Sequence, residues 1–160
     1  MSSSRLLMAA VAAVAALALG AQAADAQSTL PPMKGQADPQ VQKALSQLHT
    51  AIREEKRALE IYQTLGPTDD ITEGHKAATN AYVAIRAART NMGEIRARKK
   101  YSDPVMDLAY DKVTQAWNRS RGPVDHVAPP GSGRMPYIQT AMRQMNEVIV
   151  WLEQILLMWP

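Results

Sequence analysis

Four segments of this chain place apolar residues three or four positions apart, which is the spacing of one face of an α-helix. The predicted helices cover about residues 38–65, 70–100, 103–121 and 136–159. Prolines and glycines separate them, and no segment alternates polar and apolar residues as a half-buried strand does. We therefore expect an all-α fold, an antiparallel up-down-up-down four-helix bundle over residues 38–160.

Local signals at the helix ends support these boundaries. Asp38 is followed by Pro39, so a capping carboxylate precedes a proline at the first helical position, where its missing N–H is not needed. The same Asp-Pro pair recurs at residues 103–104. Gly66 followed by Pro67 is typical of a helix end, because neither residue continues a helix well.

A loop rich in proline and glycine, residues 122–135, separates the third and fourth predicted helices. The third helix is shorter than the second, so it leaves one end of the bundle incomplete, and we expect the loop to cover that end. This geometry places the loop near Tyr62, residues 68–75 and the start of the fourth helix. Because the bundle is least complete there, the loop-covered end is the first place to expect a ligand site.

The first 26 residues have the pattern of a secretory signal peptide. Arg5 precedes an unbroken apolar run of fourteen residues from Leu6 to Leu19, and two small-x-small sequences after it offer cleavage sites. The run is shorter than the roughly 20 residues that span a bilayer. We predict cleavage after Ala26, a flexible arm over residues 27–37, and a periplasmic or secreted location.

Composition and motifs narrow the classes of function. The chain has no cysteine, which excludes disulfides, thiolate metal sites, a cysteine nucleophile and haem attachment through C-x-x-C-H. Its net charge of +3 is too small to indicate nucleic-acid binding, and an exported chain is not expected to meet DNA. The sequence also has no glycine-rich phosphate loop, H-E-x-x-H motif or nucleophile elbow. We expect a protein that is not an enzyme and does not bind nucleic acid.

Two histidines and two carboxylates are candidates for a metal site at the loop-covered end. His75 lies one turn into the second predicted helix with Glu73 close by, and His126 follows Asp125 in the loop. Imidazole and carboxylate groups bind zinc and copper. The spacing matches no established ligand motif, so two surface histidines are the simpler interpretation. A site for a zinc or copper ion is the alternative.

Glu55 interrupts the apolar face of the first predicted helix. Burying a carboxylate is costly unless it is paired, so this residue requires an explanation. One explanation is a function, as a ligand or a pH-sensitive group. The explanation that we favour is an ion pair with Arg86 or Arg89 of the second helix, or a small rotation of the helix that exposes Glu55.

Charged stripes on the second and third predicted helices are expected to face each other. One stripe of the second helix carries Arg86, Arg89, Arg96 and Lys100, and one stripe of the third carries Asp103, Asp107 and Asp111. The basic stripe could bind an anionic partner, but pairing with the acidic stripe is the simpler interpretation. Because the two helices are expected to be neighbours, we predict interhelical ion pairs, each of small energy at the surface.

The second half of the last predicted helix is apolar nearly all round, with only two polar residues between Val148 and Trp159. Either this segment is the most deeply buried helix, or Trp151, Leu157 and Trp159 form an exposed patch. Such a patch would contact a protein partner, a second copy of the chain or a membrane surface. We predict a partner-binding or self-associating bundle, and a bundle that binds a metal ion or cofactor is the alternative.

Overall fold

The computed structural model describes residues 38–98 and 104–158, and every regular element within them is helical. The prediction of an all-α protein with four long helices is confirmed. The helices are α1 (Pro39–Thr64), α2 (Thr72–Ala97), α3 (Pro104–Ser120), α4 (Gly122–Asp125) and α5 (Arg134–Met158). The predicted fourth helix is therefore α5, and α4 is a single turn.

Several predictions concern parts of the chain that the structure does not describe. The predicted signal peptide (residues 1–26), the predicted arm (residues 27–37) and Trp159 all lie outside the described residues. Within residues 38–98 and 104–158, no helix combines the length and the apolar character that a membrane span requires.

The start of α1 follows the sequence prediction. The Asp38 carboxylate accepts a hydrogen bond from the Gln40 backbone N–H at 2.9 Å, and Pro39 occupies the first helical position. The carboxylate thereby satisfies one of the N–H groups that a helix start leaves without a partner. At the other end, α1 stops at Thr64, and Leu65 is already extended.

The start of α2 lacks the side-chain cap that begins α1. Ile71 holds the N-cap position without a side-chain hydrogen bond. The Asp70 carboxylate instead accepts from the Thr72 hydroxyl at 2.6 Å and from the Thr72 backbone N–H at 2.9 Å. These two hydrogen bonds lower the pKa of Asp70 because they favour its ionised form.

The predicted loop also contains more helix than expected. Its first residues form α4, because a proline such as Pro123 is compatible with the first turn of a helix. Helix α5 begins at Arg134 rather than at Pro136, since Pro136 also falls within a first turn. Gly131 has a φ of 129°, a conformation that L side chains rarely adopt, and it allows the chain to turn before α5.

Each long helix packs against two others: α1 against α2 and α5, and α3 against α2 and α5. The apolar interior is divided into two clusters. The larger cluster lies within residues 41–52 of α1, 85–95 of α2, 105–116 of α3 and 148–158 of α5. The smaller cluster consists of Ala58, Tyr62, Ala77, Ala78, Ile138, Ala141 and Met145.

Polar pairs fix the register between α1 and α2. The buried Asn91 side chain donates to Gln47 Oε1 at 2.6 Å, and Gln40 Nε2 donates to Glu94 Oε2 at 2.5 Å. The start of α1 therefore lies beside the end of α2. Specific polar pairs between two helices restrict how their apolar faces slide along each other.

Candidate functional site

The outward side of α5 exposes two large aliphatic side chains. Val150 is 51% exposed and Leu157 is 63% exposed, and their spacing of seven residues places them on one stripe of the helix. On the opposite side of the same helix, Leu152 and Ile155 are fully buried. The apolar segment therefore serves the core and also presents an apolar surface. We call the stripe of Arg143, Asn146, Val150 and Leu157 the α5 outer face.

Trp151 lies at the boundary between this surface and the core. Its side chain is partly buried and packs against the larger cluster. It also lines two shallow grooves. One groove is completed by Arg143, Asn146, Glu147 and Val150, and the other is completed by Gln115, Asn118, Arg119 and Glu147. An aromatic ring between two open grooves, surrounded by polar groups, is typical of the centre of a protein interface.

The carboxylates beside the α5 outer face already have partners. Glu147 accepts from Arg119 Nε at 2.5 Å, which lowers the pKa of Glu147 and raises that of Arg119. Glu153 lies 2.7 Å from the Lys56 ammonium. These neutralised pairs form a polar rim around an apolar centre, and they leave no unpaired acid beside Trp151 within residues 38–98 and 104–158.

The loop-covered end contains a chain of polar contacts. The Pro123 carbonyl accepts from the Tyr137 hydroxyl at 3.0 Å, and His75 Nδ1 lies 3.3 Å from the same oxygen. The Tyr62 hydroxyl lies 3.3 Å from that of Tyr137. Burial raises the pKa of both tyrosines, so the pair stays neutral and joins the loop to the smaller cluster.

Arg134 anchors the loop to the rest of the bundle. The residue is only 5% exposed. Its guanidinium donates to the Asp69 carbonyl at 2.6 Å and to the Ala128 carbonyl at 3.0 Å, while the Gly131 N–H donates to the Pro67 carbonyl at 3.1 Å. These bonds hold the loop against the α1–α2 turn, where it was predicted to lie. Nothing in a lone arginine between glycine and methionine signals such burial.

The four candidate metal ligands are engaged elsewhere or exposed. Glu73 lies 3.7 Å from Arg57, and Asp125 forms a 3.0 Å ion pair with Arg121. His75 faces a backbone carbonyl, and His126 is exposed. Over the described ranges, no three His, Asp or Glu side chains group as metal ligands would. The zinc or copper alternative stays a prediction without a geometric site.

Glu55 is buried, but not in the way that we favoured. It is 2% exposed, and its Oε2 atom has no hydrogen-bond partner within residues 38–98 and 104–158. Burial raises its pKa to about 8. The predicted ion pair with Arg86 or Arg89 is wrong, because Arg86 is exposed and the guanidinium of Arg89 is directed towards α3.

The partners of Arg89 explain this correction. Its Nε donates to Thr114 Oγ1 at 3.1 Å, and its guanidinium lies 4.7 Å from the ring centre of Trp117. The predicted ion pairing between α2 and α3 is observed two turns further along α2, where Arg96 Nε lies 2.7 Å from Asp107 Oδ1. Arg89 therefore packs against side chains of α3 and does not pair with Glu55, and the sequence pattern alone does not reveal this packing.

No protein-family model matches this sequence, and no curated protein or solved structure matches it either. Function must therefore be inferred from the residues themselves. Of the surfaces described above, the α5 outer face and the grooves beside Trp151 combine exposed apolar side chains with a satisfied polar rim. The loop-covered end is closed by its own hydrogen bonds.

Proposed function

We propose that this chain is exported, is trimmed after Ala26, and acts as a non-enzymatic up-down-up-down helical bundle. In this proposal the α5 outer face binds a protein partner or a second copy of the chain. The leader pattern over residues 1–26 supports export. The contacts of each long helix with two others support the bundle topology.

One observation carries the binding proposal: the outward side of α5 keeps Val150 and Leu157 in water although the helix has a fully buried side of its own. Single exposed aliphatic residues are ordinary on protein surfaces. Here the two lie on one stripe, and Val150 lines a groove together with the partly buried Trp151, which also lines a second groove. Exposed apolar residues near a partly buried aromatic ring are typical of an interface hot spot.

The polar surroundings support the same proposal. Interfaces combine an apolar centre with a rim of hydrogen-bonded charges, and unpaired buried charges oppose binding. Arg119 with Glu147, and Lys56 with Glu153, provide charge pairs that a partner can cover without leaving either charge alone. The proposal needs no catalytic group, and the sequence offers no nucleophile-base arrangement at this surface.

Charge substitution on the α5 outer face tests the proposal. Leu157→Asp is expected to weaken self-association, measured by sedimentation equilibrium, or retention of a partner from the periplasmic fraction, by at least about tenfold. Because Leu157 is 63% exposed, the melting temperature should change little. The matched control is Val83→Asp, since Val83 is 58% exposed on α2. Equal loss in both variants, or no loss in either, would contradict the proposal.

Export is tested separately. Expression of the full chain followed by fractionation is expected to place it outside the cytoplasm, with Gln27 as the first residue by N-terminal sequencing. A chain that keeps its first 26 residues and stays in the cytoplasm would remove the export part of the proposal. It would leave the binding surface to be judged by the Leu157 experiment alone.

A further inference from the structure

The carboxyl of Glu55 is buried in the core, and one of its oxygens has no hydrogen-bond partner among the described residues. The residue is 2% exposed in a bundle core, and its Oε2 atom accepts no hydrogen bond from residues 38–98 or 104–158. An ionised carboxylate in such a place loses its hydration without compensation. A neutral carboxylic acid loses far less. The proton is therefore the simplest ligand that makes this position stable.

Glu55 also occupies a particular level of the bundle, where the two apolar clusters meet. On α1, Ile52 belongs to the larger cluster and Ala58 belongs to the smaller one. On α5, Met145 belongs to the smaller cluster and Val148 to the larger one. Glu55 therefore lies between the two clusters on α1. The neighbouring helix α5 also passes from the smaller cluster to the larger one, between Met145 and Val148.

Buried residues that belong to neither cluster also lie between the two clusters on α2 and just beyond the larger cluster at the end of α3. Ala81 is fully buried on α2 and Ser120 is 2% exposed at the end of α3. We call Glu55, Ala81 and Ser120 the junction residues. Ala81 has no polar side chain, and the Ser120 hydroxyl donates to the Trp117 carbonyl at 2.9 Å. Neither neighbour therefore supplies a charge that would stabilise an ionised Glu55.

The ionisable groups near this level are directed to other partners. On α5 and α3, Glu147 pairs with Arg119. On α1 itself, Lys56 pairs with Glu153 of α5. The other ionisable groups on these stretches of the helices are Glu54 beside Arg53, Arg57 beside Glu73, and Tyr82, whose ring stacks on Trp117. Arg86 and Arg143 are exposed, and Arg89 lies about two turns of α2 beyond Ala81, where it donates to Thr114. Burial is the cause of the raised pKa of Glu55.

We propose that Glu55 is a proton-controlled switch in the core: the two clusters stay joined while its carboxyl is neutral, and loss of the proton loosens α1 at the junction residues. The direction follows from linkage. The folded protein holds this proton with a pKa of about 8, whereas the ordinary value is 4.5. The contribution of this proton to stability is complete below pH 4.5 and is lost as the pH rises to about 8. Over that range the unfolding constant increases by up to about tenfold per pH unit.

Urea unfolding of the wild type and Glu55→Gln between about pH 5 and 9 tests this. The unfolding constant of the wild type, divided by that of Glu55→Gln, is expected to rise up to about tenfold per pH unit until about pH 8 and then level off. The control is Glu60→Gln, because Glu60 is an exposed carboxylate on the same helix. The unfolding constant of the wild type divided by that of Glu60→Gln should not change with pH. A flat ratio for Glu55→Gln would overturn the switch.

Two further readouts test the proposal, and the first of them uses the wild type alone. Carbon-detected NMR of the Glu55 carboxyl in the folded wild type should show a titration midpoint far above 4.5, the ordinary pKa of glutamate, and a midpoint near 4.5 would overturn the proposal. Amide exchange of α1 around the junction residues should be at least about tenfold faster in the wild type than in Glu55→Gln at about pH 9. Equal protection would show that ionisation loosens nothing.

Discussion

Gly74 of α2 faces the ring of Tyr62 on α1 with no room for a side chain. A Cβ atom at Gly74 would lie 2.5 Å from Tyr62 Cε2 and 2.7 Å from Cδ2. Glycine inside a helix costs about 1 kcal/mol relative to alanine, so the position needs a packing reason. The close approach lets the fully buried Tyr62 reach Tyr137 and thereby join α1, α2 and the loop-covered end.

Gly74→Ala is therefore expected to destabilise the protein by about 1–3 kcal/mol, because the new methyl group collides with a buried ring rather than with a mobile chain end. Urea unfolding monitored by circular dichroism measures the change. Gly93→Ala is the matched control, since a Cβ there would lie 3.3 Å from Tyr110 Cε2 at a partly exposed site. If Gly74→Ala is as stable as the control, the close contact is not a constraint on the fold.

Arg134→Met should loosen the loop at the closed end of the bundle. The substitution keeps the apolar stem but removes the two bonds to the Asp69 and Ala128 carbonyls. We expect a loss of about 2 kcal/mol, the range for hydrogen bonds from charged groups. Limited proteolysis should cut within residues 126–133 faster than in the wild type. Arg143→Met, at an exposed site, provides the comparison. Unchanged cleavage would mean that Arg134 does not hold the loop.

Tyr137→Phe tests the hydroxyl chain. It removes the donor to the Pro123 carbonyl and the hydroxyl that faces buried Tyr62. Because one buried polar group is left without its partner, we expect a loss of about 1–3 kcal/mol in thermal or urea unfolding. Tyr82→Phe is the control, since Tyr82 meets Trp117 through its ring. Equal effects of the two substitutions would show that the hydroxyl contacts contribute little.

Arg89→Lys should separate the geometry of this arginine from its charge. The planar guanidinium lies over the rings of Trp117 and Tyr110 and also donates to Thr114, and an ammonium group cannot reproduce this arrangement. We expect a loss of about 1 kcal/mol and an altered fluorescence of Trp117. Arg86→Lys, at an exposed site one turn earlier, should change neither quantity. If Arg89→Lys changes neither the stability nor the fluorescence of Trp117, the stacking of Arg89 on the α3 rings does not stabilise the fold.

The elements of this fold were predictable because each depends on local chemistry. The apolar spacing of α1 around Leu48 and Ile52, together with the Asp38 cap, predicts a helix without any knowledge of its tertiary contacts. The start of α2 was predicted less well, since the Asp70 carboxylate has two ways to bond nearby N–H and O–H groups.

Side-chain partners across helices were less predictable than the helices. Arg89 was expected to pair with Glu55 but packs against Thr114 and Trp117 of α3, because the lateral packing of α3 is not visible in the apolar pattern. The burial of Arg134 depends on where a flexible-looking loop crosses the α1–α2 turn. In α5, an almost wholly apolar sequence hides which stripe faces water, so the exposure of Leu157 required the structure.

The most direct test of the proposed function is site-specific photo-crosslinking in cells that express the full chain. A photoreactive residue in place of Leu157 is expected to yield a discrete heavier species, at twice the chain mass for self-association or at another fixed mass for a partner. The same residue in place of Val83, exposed on α2, should yield none. Absence of an adduct at position 157, or the same adduct from both positions, would contradict a binding role for the α5 outer face.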